Sequence, residues 1–317
     1  MRKFILKLTS TTVVIYLLLS GLQLIIDFYL KKDSCCNNNT WHHIFEGEVQ
    51  AEVVVLGTSR AEVHYDTQII KNITGLKTYN IGLSGTHYNL LKIRWKSYLN
   101  HNKKAKILVL DYNSLLDSES LFNKFQYLPY LNTNEYGEVA KGVDKDYYFE
   151  KFIPIYKYRG YKMNVYNQIK SLSNPDFCSN NVNGYVENDI NWIQKDQLSF
   201  NKIIKRDKAK DIFSVKNYKK GLAVLREIIR DCKANNIKVI FVESPSYYKS
   251  SEYMAFNKKG INSIIRKISM DNEIKYYNFS KDSLCFDKGN FYNSMHMNKV
   301  GVGVFSKKIA EILNKEK

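Results

Sequence analysis

Two residues far apart in this chain have the side-chain types and local settings that nucleophilic catalysis needs. Ser59 follows the apolar run 53–56 in the stretch GTSR, and His296 lies near the C-terminus in the stretch FYNSMHMN. A serine hydroxyl becomes a nucleophile toward acyl carbon atoms when a histidine accepts its proton. We therefore predict Ser59 as the nucleophile and His296 as its general base.

The same chemistry needs hydrogen-bond donors for the oxyanion that forms on the attacked carbonyl group. We predict three donors: the backbone N–H of Ser59 at a helix start, the N–H of Gly82 in NIGLSG, and the side-chain amide of Asn113 in DYNS. Arg60, beside the serine, has two interpretations. It holds an acidic group of a substrate, or it begins a helix and pairs with a nearby acid.

These polar stretches follow short apolar runs, which are predicted strands. Three runs are continuous and rich in β-branched residues, as in strands that are buried on both faces of a parallel sheet. Two further runs are weaker candidates. The five predicted strands are Val53–Leu56, Thr78–Ile81, Ile107–Leu110, Val239–Val242 and Tyr276–Phe279.

Helical patterns alternate with the strands. Leu222, Leu225, Ile229 and Cys232 recur at three and four residues, which gives one apolar face before the strand at 239. Asn298 is a predicted N-cap of the last helix. Alternating strands and helices indicate a doubly wound α/β fold, in which ligands bind beyond the carboxyl ends of the strands.

Residues from about 117 to 212 break this alternation and are rich in Tyr, Asn, Lys and Asp. We predict a helical or irregular insertion on the α/β core. Its aromatic side chains have two interpretations: they stack on sugar rings, or they pack against one another in a core.

The N-terminal apolar run, residues 8–26, is about as long as a membrane-spanning helix requires. Basic residues precede it, so we predict an uncleaved anchor with the N-terminus in the cytoplasm and the main domain outside; a cleaved signal peptide is the alternative. Asp27, next to Phe28 and Tyr29, is expected at the membrane interface. The predicted organisation is an anchor over 1–30, a neck over 31–50 and a main domain over 51–317.

Composition limits the remaining function classes. The chain has 317 residues, a formal net charge of +17 and 44% hydrophobic residues, so a sizeable core is expected and disorder of the bulk is not. The positive charge is mostly lysine spread along the chain, and no nucleic-acid-binding motif accompanies it. Five cysteines without a C-x-x-C pair give no zinc pattern. We expect no metal, no cofactor and no nucleic-acid partner.

The order of these stretches resembles the SGNH/GDSL-type hydrolases: a strand followed by GxSx, then NxG, then an Asn after the third strand, then FYxxxHxNxxG. The similarity is greatest to the membrane-anchored branch that includes alginate O-acetyltransferase-like proteins and the lipoteichoic-acid D-alanylation protein. It covers residues 50–113 and 237–315. It implies a three-layer, flavodoxin-like α/β/α fold of about five parallel strands.

The resemblance also implies function. Ser59 would be the nucleophile and His296 the base, with the Ser59 backbone, Gly82 and Asn113 forming the oxyanion hole. Since DYNS departs from the usual GxND, Asn80 is the alternative donor to Asn113. The reaction implied is acyl-ester chemistry, for example of acetyl esters, on polysaccharides of the cell envelope or outside the cell, at the membrane and beside a membrane-bound O-acyltransferase partner.

One position departs from the family pattern, because Asn293 stands where the family has an Asp three residues before the histidine. Three outcomes are open. Asn293 orients His296 through its amide oxygen, another group replaces the carboxylate, or the protein has lost catalysis and binds polysaccharide or assists the acyltransferase. The candidate replacements are Asp111, Asp282, Asp287 and a backbone carbonyl.

Overall fold

The computed structural model describes residues 1–32, 39–85, 87–112, 124–171, 181–193, 201–202, 215–250 and 259–317. The chain divides into two compact units. The first comprises Met1–His43 and Asn123–Ser179, and the second comprises Ile44–Phe122 and Asn180–Lys317. Both predicted ends of the insertion, residues 117 and 212, lie outside the described residues.

The helices and strands are numbered along the chain. The helices are α1 (Arg2–Lys31), α2 (Asn39–Phe45), α3 (Ser59–His64), α4 (Thr67–Thr74), α5 (Tyr88–His101), α6 (Asn134–Val143), α7 (Tyr147–Phe152), α8 (Lys162–Ser171), α9 (Lys219–Ala234), α10 (Lys259–Asp271) and α11 (Lys299–Glu316). The strands are β1 (Val53–Leu56), β2 (Thr78–Asn80), β3 (Ile107–Asp111), β4 (Asn181–Val182), β5 (Tyr185–Val186), β6 (Lys238–Glu243) and β7 (Lys275–Asn278). Short 3-10 helices are Lys124–Tyr130, Tyr156–Tyr158, Val215–Tyr218, Ser283–Phe286 and Lys288–Asn290.

Five strands of the second unit form a parallel sheet in the order β2-β1-β3-β6-β7. All four residues of β1 are fully buried, which explains why this strand is a continuous apolar run rather than an alternating one. The sheet confirms the predicted α/β fold. Its strand order is the flavodoxin-like one.

Helices cover both faces of the sheet, so the second unit has three layers. Alternate strand residues point to opposite faces: Val54 and Leu108 pack with α5, α9 and α10, whereas Val53 and Val109 pack with α4 and α11. Each such buried aliphatic side chain contributes about 1.5–3 kcal/mol. The predicted cap is confirmed, since Asn298 Oδ1 accepts the N–H groups of Val300 and Gly301 at the start of α11.

The chain passes from β1 to β2 on one side and then crosses to β3 on the other, so the carboxyl ends of β1 and β3 border a topological switch point. Gly57 lies there, between β1 and α3. A Cβ atom on Gly57 would lie 2.7 Å from the Asp111 carbonyl oxygen and 2.7 Å from Ala61 Cβ. The glycine therefore lets β1, the end of β3 and α3 approach closely.

Gly57→Ala is expected to lower the free energy of unfolding by about 1–3 kcal/mol, because backbone must move to admit the methyl group. The control is Gly303→Ala in α11, where a Cβ would meet nothing within 4 Å. That helical glycine should gain stability by up to about 1 kcal/mol on substitution. Urea denaturation of the full chain measures both, and equal stability of Gly57→Ala and wild type would contradict this account of the switch point.

The first unit is helical and joins α1 to α6, α7 and α8. Of the described helices, α1 is the one long and apolar enough to cross a membrane, with a mean hydropathy of 2.0 over its 18-residue window. Length and composition of this kind are shared by membrane anchors and signal sequences. Asp27 is only 9% exposed and bonds to Lys157, a partner that the sequence did not indicate; its place at the membrane interface stays a prediction.

Tyrosines of the first unit pack against one another. Tyr127, Tyr136 and Tyr147 are buried. The ring centroids of Tyr127 and Tyr136 are 4.9 Å apart, and those of Tyr136 and Tyr147 are 6.2 Å apart. Of the two interpretations of the aromatic residues in the predicted insertion, core packing applies to these three.

Candidate active site

The structure brings Ser59 and His296 together at the carboxyl edge of the sheet. Ser59 is the first residue of α3, directly after β1, and His296 lies in the loop before α11. The distance from Ser59 Oγ to His296 Nε2 is 2.8 Å. This is the contact that a serine nucleophile makes with its general base.

Asn293 fixes the orientation and the tautomer of His296. Its Oδ1 atom accepts the backbone N–H groups of Met295 at 2.9 Å and of His296 at 3.0 Å, so the amide oxygen, not the NH₂ group, faces this loop. The same oxygen lies 3.0 Å from His296 Nδ1. Nδ1 must then carry the proton, and the Nε2 lone pair faces Ser59, ready to accept the hydroxyl proton.

The surroundings of His296 favour its neutral form. Burial lowers the pKa of the imidazole to about 4, and the positive charge of Arg60 acts in the same direction. A neutral imidazole is available as a base at neutral pH. The same environment disfavours the imidazolium that proton transfer creates, and an amide at position 293 supplies no negative charge to compensate.

The acid limb of any Ser59-dependent reaction is therefore expected near pH 4, below the ordinary histidine value of about 6.5. Because the folded-state pKa is lowered, His296 stays neutral as the pH falls through 6.5 and is protonated only near 4. Because the unfolded chain takes up this proton near pH 6.5 and the folded chain only near pH 4, the free energy of unfolding falls as the pH drops from about 6.5 to about 4. The rate of covalent labelling of Ser59 between pH 3.5 and 8, with circular dichroism to monitor folding, measures the limb; a limb near 6.5 would contradict the buried, uncompensated imidazole.

A second histidine lies behind the first. His64, in α3, is fully buried, and its ring centroid is 6.1 Å from that of His296. Its Nε2 atom accepts the backbone N–H of Met297 at 3.0 Å. Burial first, and then the nearby His296 and Arg60, hold the pKa of His64 well below its ordinary value. His64 is a positioning residue for the His296 loop. Its place in the sequence, five residues after Ser59, did not indicate that role.

His64→Ala is expected to lower the free energy of unfolding by about 2–4 kcal/mol, because it leaves a cavity and removes the acceptor of a buried N–H. The control is His101→Ala, at an exposed histidine of α5 whose ring contacts that of Phe45. Urea denaturation gives both values. A loss below about 0.5 kcal/mol for His64→Ala would show that the His296 loop is held by other contacts.

Tyr292 forms one wall of the site and was not predicted from the sequence. Its ring stacks on that of His296, with centroids 5.5 Å apart and planes at 9°. Burial, together with the nearby Glu62, raises the pKa of Tyr292 to about 12, so it is a neutral phenol. The stacked ring restricts His296 to the plane in which it meets both Ser59 and Asn293.

Two predicted residues at the carboxyl end of β2, Asn80 and Gly82, hold the loop beside Ser59. Asn80 is fully buried; its Oδ1 accepts the Gly82 N–H at 2.8 Å, and its Nδ2 donates to the Ala61 carbonyl at 2.6 Å. A Cβ on Gly82 would lie 2.6 Å from the Glu62 backbone nitrogen. In this arrangement both groups are engaged in tying the loop to α3. An oxyanion role for the Gly82 N–H or the Asn80 amide stays a prediction. It requires each donor to share its hydrogen between its present acceptor and the oxyanion.

Buried charges stabilise the same loop. Glu62 accepts hydrogen bonds from the Ser84 backbone N–H at 3.1 Å and from the Ser84 hydroxyl, and Arg94 Nε donates to the Ile81 carbonyl at 2.8 Å. Burial raises the pKa of Glu62 and lowers that of Arg94 to about 10. Both charges lie inside unit two and hold residues 81–84 in place, a role that the sequence patterns did not indicate.

Arg60 and the candidate acids have other partners. Arg60 is 4% exposed and donates to the carbonyl of Ser244, the residue after β6, at 3.1 Å; among the residues that the structure describes, it forms no ion pair with an acid. Asp111 accepts the Tyr65 hydroxyl, Asp282 caps a 3-10 helix and pairs with Lys308, and Asp287 caps the next one. Within the described ranges, no carboxylate bonds to His296. Asn113 lies outside those ranges.

One carboxylate cluster in the first unit has metal-like spacing. Asp144, Asp146 and Glu150 offer oxygen atoms within 4.8 Å of one another. Lys124 bonds to Asp144 and Glu150, and Arg159 bonds to Asp146 and Glu150. Two protein cations already balance these acids, so the cluster is a salt-bridge network.

No protein-family profile matches the chain, and no curated protein matches it. Solved structures do. One is a proposed acylhydrolase from Bacteroides fragilis, with 12% identity and a TM-score of 0.40 over 83% of this chain and 86% of that one. Another is a GDSL-like lipase from Bacteroides thetaiotaomicron, with 12% identity and a TM-score of 0.39 over 88% of this chain and 100% of that one.

Proposed function

We propose that this chain is a serine-dependent esterase or O-acyltransferase of the SGNH/GDSL type. The observation that carries the proposal is the 2.8 Å contact between Ser59 Oγ and the unprotonated Nε2 of His296. That contact lies at the switch point of a flavodoxin-like sheet, where such folds bind their ligands. The sequence resemblance supports the same assignment.

The proposed reaction has two halves. Ser59 Oγ attacks the acyl carbon of an ester while His296 Nε2 takes the hydroxyl proton, and the tetrahedral intermediate collapses when His296 returns that proton to the leaving alcohol. Water or a sugar hydroxyl then attacks the acyl-serine, giving hydrolysis or transfer. The Ser59 backbone N–H, in the first turn of α3, has no intrahelical acceptor and is available to the oxyanion.

With Asn293 in place of an acid, we expect the Ser59–His296–Asn293 arrangement to react more slowly than a Ser-His-Asp triad. Its oxygen holds the correct tautomer of His296, but it carries no charge to stabilise the imidazolium. Arg60 opposes that charge as well. Acylation is therefore the step we expect to limit turnover.

The proposed setting is the outer side of a membrane. The length and composition of α1 support an anchor. The basic residues that precede its apolar run support a cytoplasmic N-terminus. The resemblance supports acyl, for example acetyl, esters of envelope or extracellular polysaccharide as substrates, and a membrane-bound O-acyltransferase as partner. The chemistry requires no cofactor, metal or nucleic acid.

The second candidate is a degenerate member that binds polysaccharide or assists the acyltransferase. Its support is specific: in the part of the chain that the structure describes, His296 meets an amide and a nearby cation but no carboxylate. Binding without turnover would preserve the pocket while losing the charge that catalysis needs.

Turnover by the full chain in detergent distinguishes the two candidates. p-Nitrophenyl acetate and an O-acetylated polysaccharide are the acyl donors, and a deacetylated polysaccharide is the acceptor for transfer. Release of acetate or new acetyl esters on the acceptor, both lost in His296→Ala, is the expected result. Polysaccharide binding with no acetyl release by wild type would favour the binding protein.

A further inference from the structure

The polar side chains in the C-terminal half of α1 lie on one stripe. Tyr16, Ser20, Gln23 and Asp27 are spaced by four, three and four residues, which places them on a single helix face. The other faces are apolar and exposed within the first unit; Leu17, Leu18 and Leu24, for example, expose 62%, 69% and 69%.

Residues 124–171 cover this stripe. The Tyr16 hydroxyl donates to the Phe152 carbonyl at 3.1 Å, and the Ile155 N–H donates to Gln23 Oε1 at 2.6 Å. Lys157 Nζ donates to Asp27 Oδ2 at 2.8 Å. The contacts follow α1 for about 16 Å of its length between Tyr16 and Asp27.

The Asp27 pair is buried and well satisfied. Lys157 is 1% exposed and also donates to the Leu128 carbonyl at 3.0 Å, while the Tyr158 hydroxyl bonds to the second Asp27 oxygen. A buried ion pair is tolerated only when its remaining hydrogen-bonding groups are occupied. An acid near a membrane interior also requires a partner of this kind. The 124–171 segment therefore supplies hydrogen-bond partners to Tyr16, Gln23 and Asp27, three of the four polar residues of the stripe.

The 124–171 segment also exposes large apolar and aromatic side chains, mostly in α7 and α8. Six large side chains there are 45–66% exposed. They are Tyr148, Phe149, Phe152, Ile153, Met163 and Tyr166. The Phe152 carbonyl accepts the Tyr16 hydroxyl, and Ile153 lines a groove with Leu19 and Ile26, so these two residues lie level with the C-terminal half of α1. The Tyr148 and Phe152 rings stack on each other, and exposed apolar side chains that lie together mark an interaction surface.

A groove between α1 and the segment has the same character. Its volume is about 550 Å³, and Arg159 and Lys162 are its basic lining residues. Its apolar walls are Leu19, Ile26, Ile153, Pro154, Ile155 and Val165. Apolar walls with aromatic and basic neighbours are typical of protein surfaces at the boundary between acyl chains and lipid headgroups.

We propose that the surface formed by Tyr148, Phe149, Phe152, Ile153, Met163 and Tyr166 lies in the membrane beside α1, in the leaflet entered by the C-terminal half of that helix. Lipid acyl chains occupy the groove. The proposal rests on the proposed anchoring of α1, because a spanning α1 carries the segment bonded to it to the depth of Tyr16 and Gln23. It goes beyond an anchor: the second part of the first unit is itself a membrane-contacting element.

Tryptophan quenching by brominated lipids tests this with the full chain. Phe149→Trp and Tyr166→Trp place probes on the proposed surface, on two different helices. Leu18→Trp reports the anchor, and Phe286→Trp, at a side chain 60% exposed in the second unit, is the aqueous control. Each is reconstituted in phosphatidylcholine vesicles with and without brominated acyl chains, and the signal of the three native tryptophans is subtracted.

Loss of most of the added emission is expected at Phe149→Trp, Tyr166→Trp and Leu18→Trp, with none at Phe286→Trp. Quenching at Leu18→Trp alone would overturn the proposal and leave the anchor standing. Absence of quenching at all four positions would overturn both the anchor and the proposal. Two surface probes guard against a local folding defect in either variant.

Discussion

Ser59→Ala is expected to abolish covalent labelling by a fluorophosphonate and to reduce ester turnover by about 100-fold. Loss of a serine nucleophile from a full triad costs about 10⁶ in rate, and an Asn in place of the carboxylate has already cost about 10⁴. The rate enhancement that still depends on Ser59 is then roughly 100-fold. Labelling falls to zero because the reagent bonds to Oγ itself.

Ser283→Ala is the matched control for that variant, because Ser283 is an exposed serine of the same unit. Initial rates with p-nitrophenyl acetate and gel fluorescence of the labelled full chain give the two measurements. Unchanged turnover in Ser59→Ala, with the protein folded, would show that the hydrolysis arises elsewhere.

Asn293→Asp is expected to raise ester turnover by about 10²–10⁴, the reverse of the loss that the opposite substitution causes in a serine triad. The new carboxylate would meet the same three N–H groups that Asn293 Oδ1 now accepts. It therefore enters a site built for an oxygen acceptor and adds the negative charge that stabilises the imidazolium.

The acid limb of the pH–rate profile should also shift to higher pH in Asn293→Asp. A carboxylate beside His296 raises the pKa of the imidazole from about 4 toward or above its ordinary value. Activity of Asn293→Asp should accordingly be lost at a higher pH than that of wild type as the solution is acidified. Asn293→Ala, which removes the acceptor, is the control and should be slower than wild type. A rate for Asn293→Asp equal to or below wild type would show that charge is not what limits this site.

The sequence predicted the parts of this site that depend on local pattern. The strand ends place Ser59 at the sheet edge, and the FYNSMHMN stretch places Asn293 and His296 in one loop before a capped helix. Of the three outcomes left open for Asn293, the geometry fits orientation of His296 through the amide oxygen. Loss of catalysis stays the second candidate function.

The remaining features depend on contacts between distant segments. His64 of α3 packs behind the His296 ring, and the side-chain amide of Asn80 donates to a backbone carbonyl in α3. Asp27 finds its partner at Lys157, 130 residues away. No spacing or periodicity in the chain encodes such pairs, since they arise only when the helices pack.

Fluorophosphonate labelling of the full chain at neutral pH, for wild type, Ser59→Ala and His296→Ala, measures whether His296 activates Ser59. An Oγ held 2.8 Å from a neutral imidazole nitrogen predicts labelling of wild type, none in Ser59→Ala, and strongly slowed labelling in His296→Ala. Equal labelling of wild type and His296→Ala would contradict the account, because Ser59 would then react without the base that the structure places beside it.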